Sequence, residues 1–296
     1  MLITNEFDDY EIISMSDGEK LERWGRFYLL RPDPEIIWKE SLDKSIIHAY
    51  YHRSTTGGGY WDVLKKLPSS WCVNYKDLTF NVKLMGFKHT GIFPEQSVNW
   101  DFMREKIKEE KKKSNREIKV LNLFAYTGCA SVACLKEGAS VVHVDSSRGM
   151  VDWAKENVKV NNLEDKPIRF LVDDCIKFVE REIRRGNKYD AIIMDPPSFG
   201  RGTNKEVWSI DKDLFNLVSL CKNLLVDEPL FFIINTYTAG LSKIVIENIL
   251  KIVMFLSFNI CSKFLFSIPK RWQIFSSDIS KLYVDFPAFK EVNLFL

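Results

Sequence analysis

The chain has 296 residues, of which 46% are apolar, 28% charged and 13% aromatic, with 14 glycines and 10 prolines; this profile excludes disordered, collagenous and low-complexity classes. Forty-two basic against forty acidic side chains leave a net charge of +2, so bulk charge identifies no polyanionic partner, and no uncharged stretch reaches the ~18 apolar residues a membrane helix needs. The acidic opening, Met1-Leu-Ile-Thr-Asn-Glu-Phe-Asp-Asp, is unlike a signal peptide, and a soluble cytoplasmic protein of two domains is expected. The six cysteines, at 72, 129, 134, 175, 221 and 261, form no CxxC pair and no histidine is spaced to complete a zinc site; reduced thiols and no metal are expected.

Up to about residue 100 the chain is rich in Tyr, Trp and turn signals: Ser16-Asp-Gly, the run from Thr55 to Gly59, Pro68-Ser-Ser, and Asn74-Tyr-Lys-Asp. This predicts small strands and hairpins, with Trp24, Trp38, Trp61 and Trp71 mostly in their core. His89, between Lys88 and Thr90, reads as a surface or hydrogen-bonded residue. Residues 104–119 carry eight basic and four acidic side chains, and 177–188 carry five and two; such runs are solvated helix faces or linkers, or else nucleic-acid patches. From Lys119 onward apolar strands alternate with helices: strands at 120–124, 141–145, 168–173, 191–195 and 230–235, and helices at 128–136, 148–160, 176–185, 211–224 and 241–256. Five βα units predict an α/β fold, a doubly wound and mostly parallel sheet with helices on both faces. The expected division is a small β-rich accessory or substrate domain at 1–100, a charged helix and linker at 101–118, and the α/β domain at 119–296.

In such a sheet a ligand binds outside the carboxyl ends of the strands, at the switch point. The first strand leaves into Asn122-Leu-Phe-Ala-Tyr-Thr-Gly-Cys-Ala-Ser131, where Gly128 lets backbone N–H groups at a helix start approach an anionic group. One glycine in place of GxGxxG argues against a nicotinamide cofactor. The second strand ends at Asp145, seventeen residues after Gly128, where a carboxylate can accept both hydroxyls of a ribose. The third ends in Asp173-Asp174, which can accept from an adenine amino group or cap the next helix. The fourth ends in Asp195-Pro-Pro-Ser-Phe199, whose prolines fix the backbone and leave carbonyls and the carboxylate facing a pocket; Phe199 either stacks on a ligand or packs. Three acidic strand ends in succession point to a nucleoside-containing ligand.

The runs LNLFAYTG (121–128), Asp145-Ser146, NNL (161–163) and DPPSFGR (195–201) resemble the class I S-adenosylmethionine-dependent methyltransferases. More narrowly, with SDGEKLERWGRFYLLRPDPEIIW (16–38) and FKHTGIFPEQSVNW (87–100), the chain is similar to an uncharacterised branch of the bacterial group related to the 23S ribosomal RNA methyltransferases acting on cytosine C5 and guanine. The resemblance covers about residues 8 to 240 and implies a Rossmann-like class I methyltransferase sheet with S-adenosylmethionine as cofactor. It implies that Ala125, Tyr126, Thr127 and Gly128, with Phe124, hold the methionine part, that Asp145 with Ser146 holds the ribose, and that Asp174 with Asp173 faces the adenine. Asp195, Pro196, Pro197 and Phe199 would frame the transferred methyl and its acceptor, Asp195 also touching the cofactor, and the strip from Phe93 to Gln96 would close over it. From about Phe264 the chain departs from the group: Ile268-Pro-Lys-Arg-Trp272 stands where a Cys- and Gly-containing loop is expected. The resemblance implies ribosomal RNA as substrate. A pyrimidine carbon normally requires covalent addition of a cysteine first; none follows Asp195-Pro-Pro, and only Cys221 and Cys261 remain as candidates, so a base nitrogen is the expected acceptor. A protein or small-molecule substrate, and a cofactor-binding module without activity, stay open.

Overall fold

The computed structural model describes residues 7–54, 58–201, 207–238, 241–255, 273–275 and 281–285. The chain divides into an N-terminal unit, Ile3–Asn99 with Trp153–Glu164, and an α/β unit built from Trp100–Asp152 and the residues from Asp165 onward.

In the N-terminal unit β1 (Tyr10–Ser16), β2 (Glu19–Trp24), β3 (Phe27–Pro32), β4 (Ala49–Arg53) and β5 (Gly59–Val63) form one sheet in that order. Only the β3–β4 pair is parallel. Asp17 and Gly18, both at positive φ (49° and 77°), make the tight β1–β2 turn that an Asp-Gly pair favours. A second hairpin joins β6 (Trp71–Tyr75) to β7 (Leu78–Val82), and its alternate residues Val73, Tyr75, Leu78, Phe80 and Val82 are fully buried. Glu22, also fully buried, accepts from Arg31 Nε and Nη2 at 2.5 and 2.7 Å and from the Tyr10 hydroxyl at 2.6 Å, so its charge is paired where burial would otherwise expel it. Trp24 joins this core. Trp38 does not: it is 44% exposed, with its indole N–H on the Met15 carbonyl.

Residues far along the chain complete this unit. Asn81 N–H donates to Asn157 Oδ1 and Trp153 Nε1 to the Asn81 carbonyl, both at 2.8 Å. Asn161 accepts the Thr79 N–H at 2.9 Å and donates to the Thr79 carbonyl at 2.6 Å. These side chains give β7 the bonds a neighbouring strand would otherwise supply. Asn162 follows at φ 55°, a left-handed conformation that Asn tolerates better than most residues, so the Asn161-Asn162 pair has a structural reason.

The chain continues through α1 (Ser97–Lys113), β8 (Lys119–Leu123), α2 (Cys129–Lys136), β9 (Ser140–Asp145), α3 (Arg148–Val160), β10 (Ile168–Val172), α4 (Cys175–Arg184) and β11 (Ala191–Met194). A short hairpin of β12 (Phe199–Arg201) and β13 (Val207–Ser209) precedes α5 (Ile210–Lys222), β14 (Phe231–Asn235), α6 (Lys243–Phe255), β15 (Gln273–Phe275) and β16 (Lys281–Asp285). Sheet order β10-β9-β8-β11-β14-β16-β15 places the first strand of the unit centrally. The first five strands of that order are parallel and β16 is antiparallel to both its neighbours. Alternation along the strands assigns the two faces. Leu121, Leu123, Ile192, Met194, Phe232 and Ile234 form one core with α4, α5 and α6. The intervening positions meet α1 and α2: Asn122 Nδ2 donates to Ser131 Oγ at 2.9 Å, Ser131 Oγ lies 3.0 Å from His143 Nδ1, and Phe102 meets Phe231 edge-on. This is the doubly wound α/β fold expected, with a β-rich region preceding it. No helix among the described residues is long and apolar enough to cross a membrane.

The charged run 104–119 covers the second half of α1 and the connection to β8. Its arginines are already committed: Arg104 pairs with Glu137 at 2.6 Å, and Arg116 pairs with Asp190 and Glu110. In the run 177–188, Arg181 pairs with Asp173, Arg185 with Glu182, and Lys188 donates to the Asn223 carbonyl. Both runs therefore offer fewer free cations than a count of side chains suggests.

Candidate cofactor and active site

Parallel register levels the strand ends: Leu123 stands opposite Val144 and Met194, and Asp145 opposite Val172. Phe124, Ser146, Asp173 and Asp195 therefore leave the sheet along one edge, at the switch point between β8 and β11. Backbone bonds tie these exits together. Ala125 N–H donates to the Val144 carbonyl at 3.1 Å, Asp173 N–H to the Asp145 carbonyl at 3.0 Å, and Asp195 N–H to the Leu123 carbonyl at 3.4 Å.

In the turn after β8, Phe124, Tyr126 and Gly128 all have positive φ, at 50°, 50° and 80°. For the two side-chain-bearing residues this costs about 1–3 kcal/mol each, strain that persists only where the surroundings over-determine it and that clusters at ligand sites. The surroundings are visible. Asp145 Oδ2 accepts the Tyr126 N–H at 2.8 Å, Cys175 Sγ accepts the Phe124 N–H at 3.4 Å, and Gly128 N–H closes on the Ala125 carbonyl at 3.0 Å. Ala125, Thr127 and Gly128 are buried. No side chain caps α2 at Gly128, so the first N–H groups of that helix suit an anionic partner.

Asp145 is half-buried, and its other oxygen, Oδ1, accepts the Ser147 N–H at 2.8 Å. Burial pushes its pKa above the usual carboxylate value, against the pull of those two N–H bonds; the remaining lone pairs can accept hydroxyl donors. Ser146, beside it, is half-buried. Asp174 Oδ1 caps α4 through the Lys177 N–H at 2.9 Å. Asp173 Oδ1 accepts the Asp174 N–H at 2.9 Å while Oδ2 pairs with Arg181. Asp195 is half-buried, Pro196 buried and Pro197 exposed. Phe199 is 58% exposed on β12, which removes the packing explanation for it. Trp208 Nε1 donates to the Pro197 carbonyl at 2.6 Å, and its ring lies 5.0 Å from that of Phe124. Cys175, Arg181 and Trp208 thus support the predicted residues without having been foreseen; only Cys175, directly after the Asp pair, carried any sequence signal.

Phe93 and Gln96 lie in the N-terminal unit, at a 3-10 turn. The Phe93 ring is 5.0 Å from that of His89, and buried Gln96 accepts from Asn99 Nδ2 at 2.6 Å. Burial and the charges of Arg31, Lys88 and Lys20 push the His89 pKa down to about 4, so it is neutral near pH 7. Burial raises the Cys129 thiol to about 12 and pushes Cys134, Cys175 and Cys221 upward as well. Cys261 and the stretch 268–272 lie outside the described residues.

S-adenosylmethionine fits this donor set. Its α-carboxylate suits the uncapped helix start, its ribose hydroxyls suit Asp145, and its adenine amino group suits the β10 end. Comparison with known proteins agrees. Residues 31–258 match the family model described as S-adenosylmethionine-dependent methyltransferase. The chain is 38% identical over 136 residues to a ribosomal RNA large subunit methyltransferase K/L of Pseudoalteromonas atlantica, covering 45% of this chain and 18% of that protein. To the K/L enzyme of Syntrophotalea carbinolica it is 31% identical over 205 residues, 67% of this chain and 27% of that one. The chain thus spans about a quarter or less of these curated relatives. A solved SAM-dependent methyltransferase from Agrobacterium tumefaciens is 34% identical, with a TM-score of 0.78, covering 83% of this chain and 78% of that one. SMU.776, solved with SAH, shares the fold at 20% identity and a TM-score of 0.69, covering 95% and 76%. The strained turn, the three acidic strand ends and these matches lead to one conclusion: the chain belongs to the family of S-adenosylmethionine-dependent methyltransferases.

Proposed function

We propose that this methyltransferase modifies a base of ribosomal RNA, at a nitrogen. The observation that carries the RNA reading is the likeness to enzymes named for the large ribosomal RNA, since the basic runs are largely spent on internal pairs. The cofactor, when bound, supplies a methyl group already activated on a sulfonium. The work left to the protein is to align an acceptor lone pair and exclude water. Ala125, Tyr126, Thr127 and Gly128, with Phe124, take the methionine part, Asp145 with Ser146 the ribose, and Asp173-Asp174 the adenine. Asp195, Pro196, Pro197 and Phe199 form the acceptor side: the carboxylate and the Pro196 carbonyl accept the hydrogens of an amino group, and exposed Phe199 offers a stacking face. Phe93 and Gln96 enter on the family resemblance alone.

The nitrogen acceptor is supported by the thiols. Covalent addition to a pyrimidine needs a thiolate, and burial holds Cys129, Cys134, Cys175 and Cys221 in the protonated state. In this reading residues 1–100, completed by 153–164, serve as the accessory or substrate domain, 101–118 as the charged helix and link that lead into the sheet, and the rest of 119–296 as the catalytic domain, in a cytoplasmic enzyme.

The test begins with calorimetric titration by S-adenosylmethionine. Transfer of labelled methyl into bulk ribosomal RNA follows, with nucleoside digestion to locate the label. Label on a base nitrogen, and RNA binding that weakens with added salt, is the expected result. Label only in protein or small molecules would overturn the RNA reading, cofactor binding without any transfer would reduce the chain to a binding module, and label on a pyrimidine carbon would overturn the nitrogen assignment.

A further inference from the structure

Both oxygens of Asp173 are engaged, Oδ1 by the Asp174 N–H and Oδ2 by Arg181, and the Asp173 backbone N–H is bonded to the Asp145 carbonyl. Asp174 uses only Oδ1, to cap α4, and Oδ2 has no hydrogen-bond partner among the described residues. Two adjacent carboxylates at one strand end are therefore not equivalent: one is locked, the other keeps an oxygen for a ligand. Arg181, two turns into α4, does the locking, and it is about one-third exposed.

We propose that Arg181 is a positioning residue for the cofactor's base, making Asp174 rather than Asp173 the acceptor of the adenine amino group. Four bonds in sequence fix the geometry. Arg181 holds the Asp173 carboxylate, that carboxylate holds the Asp174 N–H, the α4 cap holds Asp174 Oδ1, and the Asp173 N–H anchors the whole to the strand that ends in Asp145. Without the guanidinium, Asp173 is free to rotate, the Asp174 N–H loses its fixed acceptor, and Asp174 Oδ2 loses the direction that suits one amino group. Selectivity for a 6-amino purine should then fall, beyond any general loosening. The inference rests on the cofactor reading above.

The experiment is calorimetry of the full chain with S-adenosylhomocysteine and with its inosine analogue, in which a carbonyl replaces the amino group. Wild type, Arg181→Met, Arg181→Lys, Asp173→Asn and Asp174→Asn are compared after circular dichroism has verified folding. Wild type should prefer the adenosine ligand by at least about tenfold, the factor expected for one charge-assisted hydrogen bond. Arg181→Met and Asp174→Asn should each lose most of that preference while binding of the inosine analogue changes less. Arg181→Lys should restore part of it, and Asp173→Asn, which keeps one of the two bonds made by that side chain, should lose less of it than Asp174→Asn. An unchanged preference in folded Arg181→Met, or loss in Asp173→Asn with none in Asp174→Asn, would overturn the proposal alone. Failure of wild type to bind S-adenosylhomocysteine would overturn the cofactor-site reading beneath it.

Discussion

Asp145→Asn should damage cofactor binding as much as Asp145→Ala, although it is the nearest substitution in shape. Each carboxylate oxygen accepts a backbone N–H at 2.8 Å, one from Tyr126 and one from Ser147. An Asn side chain has one acceptor oxygen and one donor amide group, so one of those N–H groups must face another donor. If it is Tyr126, the strained turn loses the bond that holds its middle residue; if it is Ser147, the start of the next helix shifts. A hydrogen bond to a charged group contributes about 1.5–3 kcal/mol, so loss of the ribose contact should weaken S-adenosylmethionine binding roughly ten- to a hundredfold or more. The displaced backbone keeps Asn from recovering any of it. Calorimetric titration of the three proteins is the assay, and an Asn variant within threefold of wild type would refute the reasoning. Acidification provides a second reading. Hydroxyl donors need the ionised carboxylate, and burial holds the Asp145 pKa above the ordinary 3.8; wild-type affinity should therefore begin to fall at a higher pH than an ordinary carboxylate would give, and the Asn variant should not show that fall.

Asp195→Ala should lower turnover by about a hundredfold or more while S-adenosylmethionine affinity stays within a few-fold; equal losses in both would make Asp195 a cofactor ligand instead. His143 is held neutral, its pKa pushed from 6.5 down to about 3 by burial. Below pH 6.5 the unfolded chain gains a proton at this residue that the native state refuses, so His143 alone should lower stability by about 1.4 kcal/mol per pH unit, in addition to the share of His89, which is also held neutral. Urea unfolding at pH 7, 6 and 5 measures the slope, and His143→Asn that keeps the wild-type slope would exclude this residue as its source. Gly91→Ala should cost about 3 kcal/mol, combining a left-handed backbone at φ 101° with a Cβ directed into the Trp153 ring; denaturant midpoints equal to wild type would contradict the described packing.

Long elements with a repeating apolar face were legible in the sequence. The helix expected at 148–160 is Arg148–Val160, because Val151, Ala154 and Val158 recur at helical spacing and are all buried. The acidic strand ends were legible for a related reason: once parallel pairing is inferred, residues that terminate successive strands must share an edge. What stayed hidden was made by distance or brevity. The strands of the Phe199–Ser209 hairpin are three residues each, too short for periodicity to register, so the Trp208 bond to the Pro197 carbonyl had no signal. The Cys175–Phe124 contact spans 51 residues. The Asp173–Arg181 pair is eight residues apart, two helical turns, beyond the spacings of three and four at which helical side chains ordinarily meet. The basic runs misled in the other direction, since counting charges cannot reveal that Arg104, Arg116 and Arg181 are already paired.

The amides of Asn157 and Asn161 that complete β7 have a consequence for how the polypeptide is made and how it can be cut. The N-terminal unit is discontinuous: Thr79 waits for a partner 82 residues downstream, and Asn81 for one 76 residues downstream. A nascent chain that has emerged only to residue 100 cannot finish that edge, and the long loop between the partners makes its closure an entropically expensive, late step. A fragment ending near residue 100, the cut that the change in sequence pattern invites, would expose Thr79 and Asn81 along an unpaired strand, the surface on which chains associate edge to edge. Recombinant dissection of this protein therefore calls for grafting the segment 153–164 onto the N-terminal piece rather than for a single truncation.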